Sequence, residues 1–220
     1  MKQIDDLVAA YRVLAAHEVI DAYGHVSVRS EKNPNRYFLA GHIAPELVRE
    51  EHIIEYDLDS KPQDANGRES VRERFIHGEI FKLRPEVMSV VHTHSQSVVP
   101  FSITTATLKP IFHMAAFIGH GVPNWDIADA QQGTDMLVKT PFLGAHLAKF
   151  VADKPAALRR RGALLRADAG GRAELPAAHG AGRAGCAGDR QDREARGARP
   201  DRRHPGGGRR ADGGARRPRR

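Results

Sequence analysis

Residues 154–220 restrict where this chain can build a hydrophobic core. They contain no Val, Ile, Phe, Tyr, Trp, Met, Ser, Thr or Asn, so they cannot bury an ordinary core. They carry 19 Lys and Arg against 7 Asp and Glu, a charge of +12, whereas residues 1–153 carry 15 against 20, a charge of −5. The sequence therefore predicts one folded domain over residues 1–157 and an Arg/Gly/Ala-rich, low-complexity tail over residues 158–220.

Three interpretations of the basic tail remain open. A basic arm would bind nucleic acid or an anionic membrane through its arginines, but this one lacks aromatic residues for base stacking and an amphipathic helix. A flexible extension is the second interpretation. The third, which we favour, is a translation artefact, because the tail consists largely of residues with GC-rich codons. We therefore expect no nucleic-acid partner.

Nothing in the sequence indicates a membrane span or a secretion signal. There is no apolar run of about 18 residues, and no basic and then apolar leader pattern. Cys186 is the single cysteine, so an intramolecular disulfide is excluded. These features predict a cytoplasmic protein without a membrane partner.

Apolar spacing divides residues 1–153 into helices and strands. Helical spacing marks a first helix from Ile4 to Ala15, and a last helix whose apolar face holds Leu143, Leu147 and Phe150. Alternating residues and turn signals mark strands at 25–29, 37–40, 53–58 and 87–94, a central strand at 111–118, and either a short helix or a strand at 101–107. Strands joined by short turns predict a mostly antiparallel sheet with helices on both faces.

The segment His92-Thr93-His94 ends the apolar run at 87–91. Alternate side chains of a strand share a face, so His92 and His94 can point at one ion. Neutral imidazoles bind Zn, Mn, Fe or Cu, and two or three of them with an open position leave room for a substrate. The alternative is a pair of partly exposed histidines at a strand end.

Glu73 begins a segment in which Ile76, Ile80 and Leu83 recur at helical spacing, and Pro85 ends that helix. His77 lies one turn after Glu73 on the same face. A short loop leads from this helix into the histidine strand. A helix packed back along its strand would bring the Glu73 carboxylate near His92 and His94. The alternative role of Glu73 is a favourable charge at the helix N-terminus.

Four ordered segments resemble the class II aldolase/adducin family over residues 4–158. They are residues 23–29 (Tyr-Gly-His-Val-Ser-Val-Arg), 44–48 (Ala-Pro-Glu-Leu-Val), 73–77 (Glu-Arg-Phe-Ile-His), and the stretch from 84–87 (Arg-Pro-Glu-Val) through 92–95 (His-Thr-His-Ser). The resemblance implies a three-layer α/β/α sandwich around a mostly antiparallel sheet, and one divalent metal ion, Zn or Mn, held by three histidines. Carried over, His92 and His94 are metal ligands and Glu73 is the catalytic acid/base.

The chain departs from this family at the third metal ligand. The family has that histidine in an Arg-Gly-His-Gly segment after the last helix, but residues 158–163 read Leu-Arg-Arg-Arg-Gly-Ala. A frame shift near Ala157 would explain both this loss and the unusual tail. A chain with one ligand missing is also consistent with a catalytically dead, adducin-like scaffold.

The resemblance also implies a reaction class and a substrate class. The motifs look most like those of the branch that decarboxylates small hydroxyaromatic or hydroxypyridine (di)carboxylates. The alternative is an aldehyde-lyase that cleaves a sugar phosphate by retro-aldol chemistry. Guanidinium groups match carboxylates, so Arg29 and Arg74 are candidates to bind the substrate carboxylate, with His25 and His113 as further substrate-binding candidates. Members of the family typically form homotetramers.

Overall fold

The computed structural model describes residues 2–159 and 162–168. The α-helices of this part are α1 (Lys2–Ala16), α2 (Arg74–Leu83), α3 (Val99–Ser102) and α4 (Pro141–Val151). Its strands are β1 (His25–Arg29), β2 (Arg36–Ala40), β3 (Ile53–Asp57), β4 (Val87–Thr93), β5 (Asn124–Trp125), β6 (Ala156–Arg159) and β7 (Gly162–Asp168). Residues 169–220 of the predicted tail, including Cys186, lie outside the described residues.

The seven strands form one sheet in the order β3-β2-β1-β4-β7-β6-β5. All neighbouring pairs are antiparallel except β5 and β6, which are parallel. The register of β1 against β4 sets His25 directly opposite His92. The sheet continues through β6 and β7 to Asp168, beyond the domain boundary predicted at residue 157, and that boundary stays a prediction.

Helices cover both faces of the sheet. On one face α1 contributes Leu7, Val8 and Tyr11 to a buried cluster with Val26 and Phe38 of the sheet. On the other face α2 and α4 pack together over a second and larger cluster, whose largest members include Tyr37, Tyr56, Phe81, Trp125 and Leu147. The structure therefore confirms the predicted α/β/α sandwich around a mainly antiparallel sheet.

The close packing of α4 against α2 depends on Gly144. A Cβ atom at this position would lie 2.5 Å from the carbonyl oxygen of Phe75, so a larger residue would push the two helices apart. Phe150, which the sequence placed on the buried face of this helix, is 38% exposed. The face that is buried is centred on Gly144 and Leu147, and Phe150 lies at its edge.

The prediction of a central strand at residues 111–118 is wrong. This segment forms a short 3-10 helix, His113–Ile118, and the side chain of Ile111 is 89% exposed. An apolar run does not by itself distinguish a buried strand from a segment whose apolar side chains stay exposed. At residues 101–107, where the sequence left helix or strand open, α3 ends at Ser102.

Candidate active site

Glu73 is the carboxylate at the centre of the candidate site. It directly precedes α2, and 7% of the residue is exposed. Its Oε1 accepts hydrogen bonds from the backbone N–H of Val138 at 3.0 Å and from Nη2 of Arg159 at 2.8 Å. Its Oε2 lies 3.5 Å from Nε2 of His92. The structure thus brings the helix-borne carboxylate to the end of the histidine strand.

His92 and His94 face each other across the end of β4. Their Nε2 atoms are 3.1 Å apart, and the rings meet edge to face. Nδ1 of His94 lies 3.0 Å from Oδ1 of Asp21, so Nδ1–H donates to that carboxylate. The short distance between the two Nε2 atoms requires a proton or a cation between them.

His25 joins these groups from the neighbouring strand. It is buried, and its ring centre lies 4.9 Å from that of His92. Its Nδ1 is 2.6 Å from Nε2 of His77, whose Nδ1 is 2.6 Å from Oγ of Ser27. We call Ser27, His77 and His25 the histidine relay. Nε2 of His25 has no hydrogen-bond partner among the described residues, although a buried polar atom without a partner is costly.

Burial keeps the imidazoles of His25, His77 and His92 neutral. Desolvation lowers the pKa of His77 to about 3. Desolvation and the nearby charge of Arg159 lower the pKa of His92 to about 4. The pKa of His25 lies well below its usual 6.5, first because of burial and then because of His77. Neutral imidazole is the form that binds a metal ion.

The Glu73 carboxyl is ionised. Burial alone would raise its pKa, but the contact with His92 and the positive charge of Arg159 outweigh that effect and hold the pKa far below the usual value. Burial also lowers the pKa of Arg159, yet a guanidinium remains protonated in proteins. The site therefore holds a buried ion pair beside neutral imidazoles.

The donor atoms fit a divalent cation. We call His25, Glu73, His92 and His94 the donor cluster. One ligand atom from each of His25, Glu73 and His92 lies within 4.8 Å of the others. Imidazole nitrogens with one carboxylate are a set that binds Zn or Mn. A metal ion would also give the Nε2 atom of His25 the partner that it lacks among the described residues. The cluster therefore offers a metal site of chemistry close to that implied by the resemblance.

Arg159 is the residue of this site that sequence reasoning missed. It lies in the segment where the family carries its third histidine, at the end of β6. Its Nη2 lies 3.2 Å from Nε2 of His92 as well as 2.8 Å from Glu73. The signal that could have found it is its place in the segment 158–163, where the family has a histidine that this chain lacks.

Three predicted substrate-binding residues lie elsewhere. The Arg29 guanidinium donates to the backbone carbonyls of Phe81, Arg84 and Val87, and also to that of Pro34. Arg74 donates to the carbonyls of Ser60 and Val71 and stacks on the Phe75 ring. His113 stands in the 3-10 helix against Phe112. None of the three is among the described residues that line the cavity beside the donor cluster.

That cavity has a volume of about 550 Å³. His25, Glu73, His94 and Arg159 form part of its wall, and Arg72 supplies a second guanidinium. Apolar side chains supply much of the remainder, and these are Ile43, Val71, Met136 and Leu137. A pocket with guanidinium groups beside apolar side chains suits a small molecule that carries acidic groups.

The family model for the class II aldolase and adducin N-terminal domain matches residues 5–169, about three quarters of the chain. The chain belongs to this family. The sequence resemblance is thereby confirmed, and members of the class II aldolase/adducin family include decarboxylases and aldolases. Membership supports a lyase-type enzyme that acts on a small molecule.

Two curated relatives of this class II aldolase/adducin chain are decarboxylases. It is 39% identical over 147 residues to decarboxylase tropJ of Talaromyces stipitatus, covering 64% of this chain and 55% of the relative. It is 30% identical over 112 residues to the 3,4-dihydroxyphthalate decarboxylase of a Terrabacter species, covering 46% of this chain and 45% of the relative. The chain thus spans about half the length of these relatives.

Solved structures share the class II aldolase fold. L-fuculose 1-phosphate aldolase from Glaciozyma antarctica matches with a TM-score of 0.60 at 21% identity, covering 74% of this chain and 62% of that one. An aldolase II superfamily protein from Pseudomonas syringae matches with a TM-score of 0.61 at 21% identity, covering 73% and 63%. These similarities establish the fold alone.

Among residues 2–159 and 162–168, no helix has the length and apolar character that crossing a membrane requires.

Proposed function

We propose that this protein is a divalent-metal-dependent carbon–carbon lyase that decarboxylates a small hydroxyaromatic or hydroxypyridine (di)carboxylate. The observation that carries the proposal is the convergence of Glu73 with three imidazoles at one end of the cavity. The two decarboxylases among its relatives support the reaction class. A cytoplasmic location and a homotetramer, as in family members, are part of the same proposal.

The donor cluster would hold the metal, Zn or Mn. His92 and His94 would supply two nitrogen donors, His25 would take the role of the missing third histidine, and the Glu73 carboxylate would be a further ligand. A bound divalent cation acts as a Lewis acid, stabilising negative charge on neighbouring substrate oxygens. The relay through His77 orients His25 so that the lone pair of its Nε2 faces the cluster.

Glu73 would move the proton that decarboxylation requires. Loss of carbon dioxide leaves an electron pair on the ring carbon, and a proton must replace the lost carboxyl group. Because the Glu73 carboxyl is ionised, it must first take a proton, which the adjacent hydroxyl group of the substrate can supply. Glu73 then delivers this proton to the ring carbon and returns to its ionised state.

Arg72 replaces Arg29 and Arg74 as the candidate to bind a substrate carboxylate. It lines the cavity, whereas the donor groups of Arg29 and Arg74 are directed to backbone carbonyls. A guanidinium binds a carboxylate through two parallel hydrogen bonds. Apolar walls from Val71, Met136 and Leu137 would contact the ring.

Two alternatives are tested beside the decarboxylase. The first is retro-aldol cleavage of a sugar phosphate, which the sequence motifs left open. The guanidinium of Arg159 inside the donor cluster favours a scaffold without catalytic activity.

The test is an assay of the purified full chain after chelation and reloading with Mn²⁺ or Zn²⁺. We expect carbon dioxide release from 3,4-dihydroxyphthalate in the reloaded protein and none in the chelated protein. The parallel assay measures aldehyde release from L-fuculose 1-phosphate. Cleavage of the sugar phosphate alone would replace the proposal with an aldolase, and a metal-loaded protein inactive on both would support the scaffold.

A further inference from the structure

Arg159 occupies an unusual position for a charged side chain. It is the last residue of β6, pairs with Gly162 of β7, and is 4% exposed. Its guanidinium reaches from that strand into the donor cluster. Buried guanidinium groups require partners, because an unpaired buried charge is strongly unfavourable.

The partners of Arg159 are the atoms that would bind a metal. Nη2 is 2.8 Å from Oε1 of Glu73 and 3.2 Å from Nε2 of His92, and Nη1 donates to the carbonyl of Met136 at 3.1 Å. Metal–ligand distances for nitrogen and oxygen donors are about 2.0 to 2.2 Å. A metal ion bound by Oε1 of Glu73 and Nε2 of His92 would compete with Nη2 for both of these donor atoms.

We propose that the guanidinium of Arg159 competes with a divalent metal ion for the donor cluster. A metal ion then binds only after the guanidinium leaves, and Arg159 thereby determines the metal affinity of the site. This inference rests on the proposed function, because it assumes that the donor cluster is the metal site. With neutral imidazoles, the charges of Arg159 and Glu73 cancel. A divalent ion added beside the guanidinium would be repelled, and its binding must break a buried ion pair.

The structure offers the guanidinium a place to move. Arg159 lines the cavity of about 550 Å³ on the side of the donor cluster. Nε of Arg159 has no hydrogen-bond partner among the described residues, so the present position leaves one donor unsatisfied. In the cavity this donor can reach water or an acidic ligand.

If Arg159 had a different role, its removal would change the metal affinity in the opposite direction. If the guanidinium only orients the Glu73 carboxylate as a ligand, its removal weakens metal binding. If it competes with the metal, its removal strengthens binding. The sign of the change in metal affinity therefore distinguishes competition from orientation.

The experiment compares Co²⁺ binding to four chelated full-length variants with binding to the unaltered protein, by calorimetric titration and by the visible absorption of Co²⁺. Arg159→Gln should bind Co²⁺ about tenfold or more tightly than the unaltered protein.

Arg159→His, which adds an imidazole donor, should bind at least as tightly as Arg159→Gln. Arg159→Lys keeps the positive charge and should bind as weakly as the unaltered protein. Arg49→Gln, which removes an exposed arginine paired with Glu51, is the matched control and should change nothing.

Thermal unfolding with and without Co²⁺ tests the same proposal in a variant of low stability. Without metal, Arg159→Gln leaves Glu73 buried without its counter-ion and should unfold at a lower temperature than the unaltered protein. Added Co²⁺ should raise that temperature more in Arg159→Gln than in the unaltered protein. Should Arg159→Gln fail to fold, Arg159→Leu, which removes the charge without adding a metal donor, provides the comparison with Arg159→Lys. Equal or weaker Co²⁺ binding on loss of the positive charge would overturn the proposal.

Failure of this inference is distinguishable from failure of the proposed function. Tight Co²⁺ binding by Arg159→Gln without carbon dioxide release from 3,4-dihydroxyphthalate would support the competing guanidinium and contradict the decarboxylase. Carbon dioxide release by the unaltered, metal-loaded protein with no gain in affinity on substitution would support the decarboxylase and contradict the competition.

Discussion

The carboxylate of Glu73 and the imidazole of His92 lie 3.5 Å apart in the folded chain. Glu73 stands at the start of α2 and His92 near the end of β4, so the helix and the strand that follows it run back along each other. This arrangement places an ionised acid beside a neutral imidazole, with Arg159 in contact with both.

Replacement of Glu73 by Gln should abolish carbon dioxide release. The amide retains the size of the side chain but cannot move a proton, so we expect the rate to fall by a factor of about 10² to 10⁴. The variant also leaves Arg159 buried without a counter-ion, which should destabilise the fold by about 3 to 5 kcal/mol. Steady-state assays and urea unfolding measure the two effects. An active Glu73→Gln protein would contradict the acid/base role.

Arg72 and Arg29 should respond differently to substitution. Arg72→Gln should raise KM for a dicarboxylate substrate about tenfold or more, because one charge-assisted interaction is worth about 1.5 to 3 kcal/mol. Arg29→Gln should leave KM unchanged and lower the free energy of unfolding by about 1 to 3 kcal/mol, because backbone carbonyls lose their donor. KM and urea unfolding should be measured for both variants. A raised KM in Arg29→Gln alone would favour the role that the sequence predicted for Arg29.

The histidine relay should determine how His25 presents its Nε2 atom. His77→Phe removes the partner of His25 Nδ1, and we expect Co²⁺ affinity to fall about 10- to 100-fold, as is typical when the group that orients a ligand is lost. Ser27→Ala removes only the far end of the relay and is the milder control. Nitrogen NMR shifts of the His25 ring report its tautomer in each variant. Unchanged affinity and tautomer in His77→Phe would show that the relay is only a packing contact.

Acid should destabilise the metal-free protein well before its carboxylates are protonated. The pKa values of His77 and His92 are about 3 and about 4 in the fold, against about 6.5 in an unfolded chain. The unfolded chain therefore binds more protons below pH 6.5, and stability falls as the pH drops from about 6.5 towards 4. Each such histidine contributes about 1.4 kcal/mol per pH unit in that window.

Urea unfolding in the presence of a chelator at pH 7.5, 6 and 5 measures this slope. His77→Phe should reduce the slope by the contribution of one histidine, and it serves as the internal comparison. The lowered pKa of Glu73 acts in the same direction at lower pH, because the unfolded carboxyl gains a proton before the folded one does. A stability that does not change between pH 7.5 and 5 would contradict neutral, buried histidines.

Local patterns predicted most of the elements that build this site. Helical spacing before Pro85 located α2, and the apolar run before His92 located β4, because both signals come from residues close in the sequence. The segment at residues 111–118 was misassigned since its apolar side chains are partly exposed, and burial is a property of the whole fold. The partners of Arg29 could not be predicted either, because the carbonyls of Phe81 and Val87 are brought to it only by packing.

The composition of the donor cluster could be predicted only in part. Alternation along a strand placed His92 and His94 on one face, and helical spacing placed His77 with Glu73. The pairing of His25 with His92 depends on the register of β1 against β4, which no local pattern specifies. Arg159 lies on β6, which is separated from β4 by β7 in the sheet. Its position beside Glu73 therefore follows from the strand order and not from any sequence motif.

The strand order has a consequence for how the candidate site can change. Its imidazoles and its carboxylate are held by β1, β4, the residue after β4 and the start of α2, whereas the guanidinium of Arg159 comes from the end of β6. With the proposed competition, one substitution at residue 159 turns a site that neutralises itself into one that requires a metal ion, while the sheet and helices beneath it stay the same.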